Sequence, residues 1–326
     1  MISNKSFFIV SLDFELYWGV RNKRTIQDYE ENLNGAGKAV KEILEAFQEY
    51  DIHATWAAVG FLFFKDTESL KKNFPDELPR YVNQALCPYR YINAAEVLEA
   101  RYHLAPELVD LIRKHGNQEI ATHTFSHYYC LEKIHNPDAF KADLSSAINA
   151  AEDFGLQIKS IVFPKNQLNR DILPILTELG ITSYRGNESS WAYNAVANKK
   201  NNAIFRRAFR LLDAYFNLSG YNTYQIDELA RENPYNIPSS RFLRPCPERY
   251  RILDNLRLFR IKKAMSYAAK NQTVFHMWWH PHNFGKNILE NIIFLKKILK
   301  HYEILKKKYG MISFNMGELA EFIDST

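Results

Sequence analysis

The sequence predicts an α/β fold of parallel strands and crossover helices, barrel-like, with the strand–helix unit repeated about seven times. Three observations carry this. Short apolar, β-favouring runs recur along the chain, each closed by polar residues. Segments of helical period lie between them, several with proline near the start and glycine at the end. The chain has 326 residues, 46% of them apolar, and neither an internal repeat nor a low-complexity linker divides it. One large domain spanning 1–326 is therefore expected.

The elements follow in order. F-F-I-V-S-L (7–12) reads as a central strand, and Ala36, Val40, Ile43, Leu44 and Phe47 then mark one face of a helix over 34–50. H-A-T-W-A-A-V (53–59) is a second strand. The polar stretch 66–105, with Pro75, Pro79 and Pro88, reads as an insertion carrying short helices. A helix over 105–116 opens at Pro106 and closes at Gly116, and Q-E-I-A-T then forms a third strand ending at His123. A helix over 136–155, a strand over 160–164, a helix over 170–180 interrupted by Pro174 and a strand over 181–185 continue the alternation. Residues 186–250, rich in Asn, Tyr and Arg with weak periodicity, read as a second insertion covering the active-site rim. A helix (255–270), a strand (273–279), a Lys-rich helix (286–309), the strand M-I-S-F-N and a short helix complete the chain.

Composition narrows the function classes. The net charge of +5 is mild for this length, no nucleic-acid-binding motif is present, and no nucleic-acid partner is expected. Cys87, Cys130 and Cys246 are odd in number and widely spaced, which fits a reducing compartment better than a disulfide framework. The first residues contain no leader-like apolar stretch, and the longest apolar run, A-A-V-G-F-L-F-F, is too short for a bilayer span. A cytoplasmic location is expected, with peripheral contact to a membrane surface left open. The run 295–309 alternates apolar residues and Lys at helical spacing, the pattern of an outer barrel helix with a solvated face or of a membrane-surface helix. Oligomeric state is not readable.

Ligand sites in parallel α/β folds gather at the carboxyl ends of strands. The first strand delivers Asp13 and Glu15 there, the third His123 and His127, the fourth Pro164, Lys165, Asn166 and Gln167. The strand at 181–185 delivers Arg185 and Glu188, and the late one His280 and His282. A spacing of four on a helical turn would place the imidazoles of His123 and His127 on one face, within reach of one metal ion. Spacing alone leaves such a pair equally readable as half-buried decoration. Asp13 and Glu15 share a face of an extended chain, so one can complete a three-ligand site while the other acts as base. His280, directly after Trp278 and Trp279, is placed to donate a proton to a leaving group, with His282 as its rival.

This ordered set resembles the polysaccharide deacetylases, the NodB-homology superfamily (carbohydrate esterase family 4), along nearly the whole chain. The resemblance implies a distorted (β/α) barrel and a divalent metal, most often Zn²⁺. It also implies removal of acetyl groups from N-acetylhexosamines. The family's T-F-D-D-G motif corresponds to S-L-D-F-E, with Asp13 at the base position and Phe14 where a ligand Asp usually stands. By analogy with D-x-E relatives, Glu15 is the implied ligand, although the two roles are exchangeable. H-T-F-S-H matches H-[ST]-x-x-H and implies metal binding by His123 and His127. The R-x-P-[YW] motif is replaced by V-F-P-K-N-Q, so the Arg that orients the base is absent from its usual place; Lys165 or Arg185 can supply its charge. The family's L-x-H aligns with W-W-H and nominates His280 as general acid. Trp18, Pro164, Asn166, Trp279, His282 and Arg244 are the expected substrate-binding residues. Arg244 lies in the arginine-rich run F-L-R-P-C-P-E-R-Y-R, suited to phosphate or carboxylate.

The expected activity is removal of an N-acetyl group from an amino sugar, carried on a nucleotide or lipid in the synthesis of surface polysaccharide. Two alternatives stand beside it: a deformylase or other amide hydrolase of the same superfamily, and a catalytically silent sugar-binding member.

Overall fold

The computed structural model describes residues 5–132, 136–193, 203–246 and 253–326. Nine strands are present among them: β1 (Phe7–Phe14), β2 (Ala54–Ala58), β3 (Gln118–Thr122), β4 (Ser160–Val162), β5 (Ser183–Arg185), β6 (Tyr235–Asn236), β7 (Arg241–Phe242), β8 (Val274–Trp279) and β9 (Ile312–Phe314). They form one sheet in the order β6-β5-β4-β3-β2-β1-β8-β7, every pair parallel. β9 pairs with Phe7–Ile9 of β1, directly below the point where β2 begins pairing at Val10.

The helices are α1 (Ile26–Tyr50), α2 (Thr67–Lys72), α3 (Pro88–Ala94), α4 (Ala100–His103), α5 (Pro106–Lys114), α6 (Pro137–Glu152), α7 (Leu173–Glu178), α8 (Ala203–Asp213), α9 (Ile226–Leu229), α10 (Asp254–Asn271), α11 (Ile288–Tyr309) and α12 (Met316–Asp324). None is long and apolar enough to cross a membrane. α1 begins eight residues before the expected start, because Thr25 and Asp28 form a capping box that holds a polar first turn. Pro174 lies in the first turn of α7, where its missing N–H costs nothing. α11 buries Leu295, Ile298, Leu299 and Tyr302, packs on α1 and α10, and pairs Lys296 with Glu49 and Lys306 with Asp51. It is an outer barrel helix with a solvated face.

Residues 186–250 are more than an insertion. Within them β6 lies against β5 and β7 against β8, at the two open edges of the sheet. The four residues between cross from one edge to the other: Ile237 N–H donates to the Tyr184 carbonyl and Ser240 N–H to the His276 carbonyl. This short crossing spans the two edges of the curled sheet, which do not pair with each other. Strands of two residues are too brief to leave a periodic signal, which is why the sequence pattern hides them.

Every residue of β1 is buried, as in a parallel strand covered on both faces. Phe8, Val10, Leu12 and Phe14 face the helices, while Phe7 and Ile9 join Ala57, Ala121, Val162 and Val274 inside the barrel. Met316, Leu319 and Ile323 of α12 close the bottom of that inner core. Alternation along the strand then directs the next inward positions, Ser11, Asp13 and Glu15, to the top. The apolar floor beneath makes the upper barrel a dry and rigid platform for charged groups.

Candidate metal and catalytic site

Glu15 stands at the centre of the barrel mouth. Its Oε2 lies 3.0 Å from His127 Nε2 and 3.2 Å from His123 Nε2. The three side chains are buried, and their potential ligand atoms lie within 4.8 Å of one another. Gly19 makes room for the carboxylate, since a Cβ there would stand 1.8 Å from Glu15 Oε1. Burial pushes the Glu15 carboxyl up, yet His280, His123 and His127 around it hold it well below the usual carboxylate range. Burial lowers the His127 imidazole to about 4, against the pull of Glu15.

The histidine pair does not sit on a helix. The segment after β3 is a loop in which Thr124 (φ +62°) and His127 (φ +60°) adopt the left-handed conformation, and this brings the two rings to 5.1 Å between centroids. Non-glycine residues there are strained and need support. Asp143 of α6 supplies it: the carboxylate accepts from the Phe125 N–H at 2.8 Å and from the Ser126 hydroxyl. Asp143 gave no signal in the sequence, because an acidic residue mid-helix reads as solvated surface.

Asp13 is held separately. Arg185 Nη1 and Nη2 donate to its two oxygens at 2.6 and 2.9 Å in a bidentate pair. Arg185 also donates to Ser11 Oγ at 3.0 Å and Asn166 Oδ1 at 2.9 Å, and its guanidinium lies 4.1 Å from the Trp278 ring centroid. The chain continues inward. With Ser11 Oγ accepting from Arg185, its hydroxyl proton points to His276 Nε2 at 2.8 Å, and His276 Nδ1–H donates to the Ile237 carbonyl at 3.0 Å. Burial and Arg185 keep that imidazole neutral, its pKa pushed down to about 3. Burial raises the Asp13 carboxyl, but Arg185, His123 and His280 outweigh it and leave it below its ordinary value.

His280 is the exposed member, with 22% of its side chain accessible. Its Nε2 lies 3.4 Å from Glu15 Oε1 and 3.7 Å from Asp13 Oδ2. His282 is buried behind Glu15, 3.9 Å from Oε1 and against Tyr29, with its pKa lowered to about 3 by burial and by His280.

Several expected residues sit elsewhere. Lys165 does not meet Asp13; its Nζ lies over the Tyr129 ring at 3.8 Å, and burial among Lys23 and Arg21 lowers it to about 8. Lys165 and Asn166 both take positive φ, a turn that sends the Asn166 amide to Arg185 and the ammonium away. Pro164 is buried at the start of that turn. Trp18 is fully buried and donates from Nε1 to the His103 carbonyl, so it is core and not a substrate contact. Trp279 is also core, stacked on Phe284 and edge-on to Phe47. The reason is strand alternation: His276, Trp278 and His280 point inward, while Met277 and Trp279 point to the helices. Arg244 follows β7 and donates to the Arg210 carbonyl at 3.3 Å, outside the Glu15–Asp13 cluster. Arg249 and Arg251 of the same run lie outside the described residues.

The donor set fits a divalent ion. Both ring nitrogens of His123 and Nδ1 of His127 are buried and have no hydrogen-bond partner among the described residues. A tetrahedral ion with bonds of about 2 Å separates its ligand atoms by about 3.3 Å, close to the spacings around Glu15 Oε2. Two imidazoles and one carboxylate form a set that takes Zn²⁺ readily.

Comparison with known families agrees with this layout. The polysaccharide deacetylase family model matches residues 34–184. Over that stretch, a little under half of the chain, it is similar to the polysaccharide deacetylases. Among solved structures, a protein from Mycobacterium smegmatis provisionally named a polysaccharide deacetylase superposes with a TM-score of 0.61 at 14% identity, covering 98% of this chain and 91% of that one. Puue allantoinase superposes with a TM-score of 0.51 at 12% identity, over 100% and 92% of the two chains. A 4-alpha-glucanotransferase from Thermococcus litoralis gives 0.53 at 15% identity, over 97% of this chain and 40% of that one. At such identities the likeness is one of fold. No curated protein sequence matches. In this chain the arginine that grips Asp13 comes from the end of β5.

Proposed function

We propose that this chain is a metal-dependent hydrolase of the polysaccharide deacetylase family that removes the N-acetyl group of an amino sugar on a nucleotide or lipid carrier. The reading rests chiefly on one observation: a Glu–His–His triad, an arginine-held carboxylate and a partly exposed histidine converge at one barrel mouth.

Glu15, His123 and His127 would hold the ion. A divalent cation there supplies Lewis acidity to an amide carbonyl, which is a poor electrophile on its own. Asp13 keeps the charged form beside Arg185 and acts as general base, taking one proton from the attacking water as its oxygen bonds to the acyl carbon. The C–N bond breaks with its electron pair on nitrogen, and His280 delivers a proton to that nitrogen as the amine departs. Asp13 and His280 lie close enough for the proton to return between turnovers. Acetate and a free amino sugar are the products. Arg185, fixed by Ser11 and Asn166, orients Asp13. Trp278 and Phe242 flank His280 and offer flat apolar faces to a sugar ring.

The test combines metal analysis with product release. The purified protein should carry about one divalent ion per chain and liberate acetate from UDP-N-acetylglucosamine or a lipid-linked N-acetylhexosamine. His123→Ala should lose both properties. Release of formate alone moves the reading to a deformylase. A metal-free protein that binds sugar equally well before and after His123→Ala is a silent binding member.

A further inference from the structure

The first α-helix after the rim strand β5 among the described residues is inside-out. In α8, Ile204, Phe205, Leu211 and Leu212 are 78, 72, 50 and 50% exposed. At roughly 100° per residue, these four and Ala208 fall within one half of the helix surface. The opposite, polar half faces the protein. There Asp213 is fully buried and accepts from Arg241 at 2.5 Å and from the hydroxyls of Tyr193 (2.7 Å) and Ser219 (2.8 Å). Arg206 donates to the Trp191 carbonyl, and the Arg210 carbonyl accepts from Arg244. The helix is thus anchored by its charged side and offers its apolar side outward, the reverse of an ordinary surface helix. Phe216, Leu218 and Trp191, each about half exposed, extend the apolar area, and Trp191 packs on Phe209 at 5.5 Å. An apolar area of this kind marks an interaction surface.

We infer that this face of α8 docks on an anionic membrane surface. Charge decides between occupants. The helix carries Arg206, Arg207 and Arg210 and no exposed carboxylate, and neither Arg207 nor Arg210 has a carboxylate partner among the described residues. Arg207, exposed at the flank of the apolar half, can reach lipid phosphates while Phe205 and Leu212 enter the acyl boundary. Trp191 beside them is the residue type favoured at such boundaries. A second copy of this chain would bring arginines against arginines, with no exposed acidic group on the helix to offset them. Anionic lipid supplies both the apolar layer and the opposite charge.

The face is also placed for use. Arg244, bonded to α8, lies 5.9 Å from the Phe242 ring, and Phe242 lies 5.7 Å from the His280 ring. A docked bilayer would therefore border the barrel mouth. The docking stands whether or not the hydrolase reading does.

Sedimentation with vesicles tests it, comparing phosphatidylcholine mixed with phosphatidylglycerol against phosphatidylcholine alone. The wild-type protein should sediment with the mixed vesicles, less so as salt is raised, and not with phosphatidylcholine. Phe205→Ser/Leu212→Ser should weaken partitioning roughly tenfold or more, and Arg207→Glu should weaken it while remaining folded if the double variant is not. Val97→Ser, a substitution at a 78% exposed site outside α8, should leave binding unchanged. Equal binding to both vesicle types, or binding indifferent to the α8 variants, overturns the proposal. So does a wild-type protein that ignores vesicles and dimerises through Phe205 and Leu212.

Discussion

Removing Arg185 tests the core of the site without touching the proposed metal ligands. Arg185→Met deletes two hydrogen bonds to Asp13, one to Ser11 and one to Asn166, and leaves a carboxylate with 4% of its side chain exposed. His280 Nε2 then remains 3.7 Å from Oδ2. Breaking a buried pair from one side costs about 3–5 kcal/mol, because the stranded charge keeps its desolvation penalty. For a chain of this size that is a fall in melting temperature of roughly 4–7 °C. Asp13→Asn strands the guanidinium instead and should cost a similar amount. Asp13→Asn/Arg185→Met removes both charges, so it should cost less than the sum of the singles by about 2–3 kcal/mol. Urea unfolding of the four proteins at neutral pH measures the cycle. A single-variant cost under about 1 kcal/mol, or additivity within about 0.5 kcal/mol, would refute the claim that these residues form one buried unit.

Three further outcomes are expected. Gly19→Ala pushes a Cβ into the space of Glu15 Oε1, 1.8 Å away, and should lower zinc affinity roughly tenfold or more with little change in melting temperature; calorimetry showing unaltered zinc binding would rule the crowding out. Asp143 is raised by burial from 3.8 to about 6, only partly offset by hydrogen bonds from Ser126 and Phe125. Its folded pKa lies above the unfolded one, so its contribution is complete below about pH 4 and is lost as pH rises through about 6, by up to about 3 kcal/mol. The stability of Asp143→Asn relative to wild type should therefore climb across that window, and a flat difference between pH 4 and 7 would contradict it. Trp278→Ala should raise KM with a modest stability loss, whereas Trp279→Ala should destabilise by about 3–5 kcal/mol and leave KM unchanged; the reverse pattern would mean that the inward and outward faces of β8 are misassigned.

What was legible in the sequence, and what was not, follows from the range over which each feature is encoded. The seven longer strands and the outer helices are written in local periodicity, and each appears in place. The polar residues at strand ends are local too, which is why Asp13, Glu15, His123, His127 and His280 could be named before their distances were known. The partner of Asp13 is different in kind. Arg185 lies 172 positions away, and nothing in its neighbourhood distinguishes it from Lys165 as a source of charge; only the turn at Lys165 and Asn166, with both residues at positive φ, sends one side chain inward and the other outward. Trp279 is core for a simpler reason: on a strand the immediate neighbour of an inward residue such as His280 points the opposite way. Trp18 lies past the end of β1, on the short turn Leu16–Gly19, which sends its indole to the His103 carbonyl. Had the period of two been carried through β8 from His280, it would have selected Trp278 and His276, the residues that meet Arg185 and Ser11. The same logic explains α8, whose strong amphipathic pattern would ordinarily mean apolar side inward. Its orientation is set by the buried Asp213–Arg241 pair, a contact across 28 positions, and that pair turns the apolar half toward solvent.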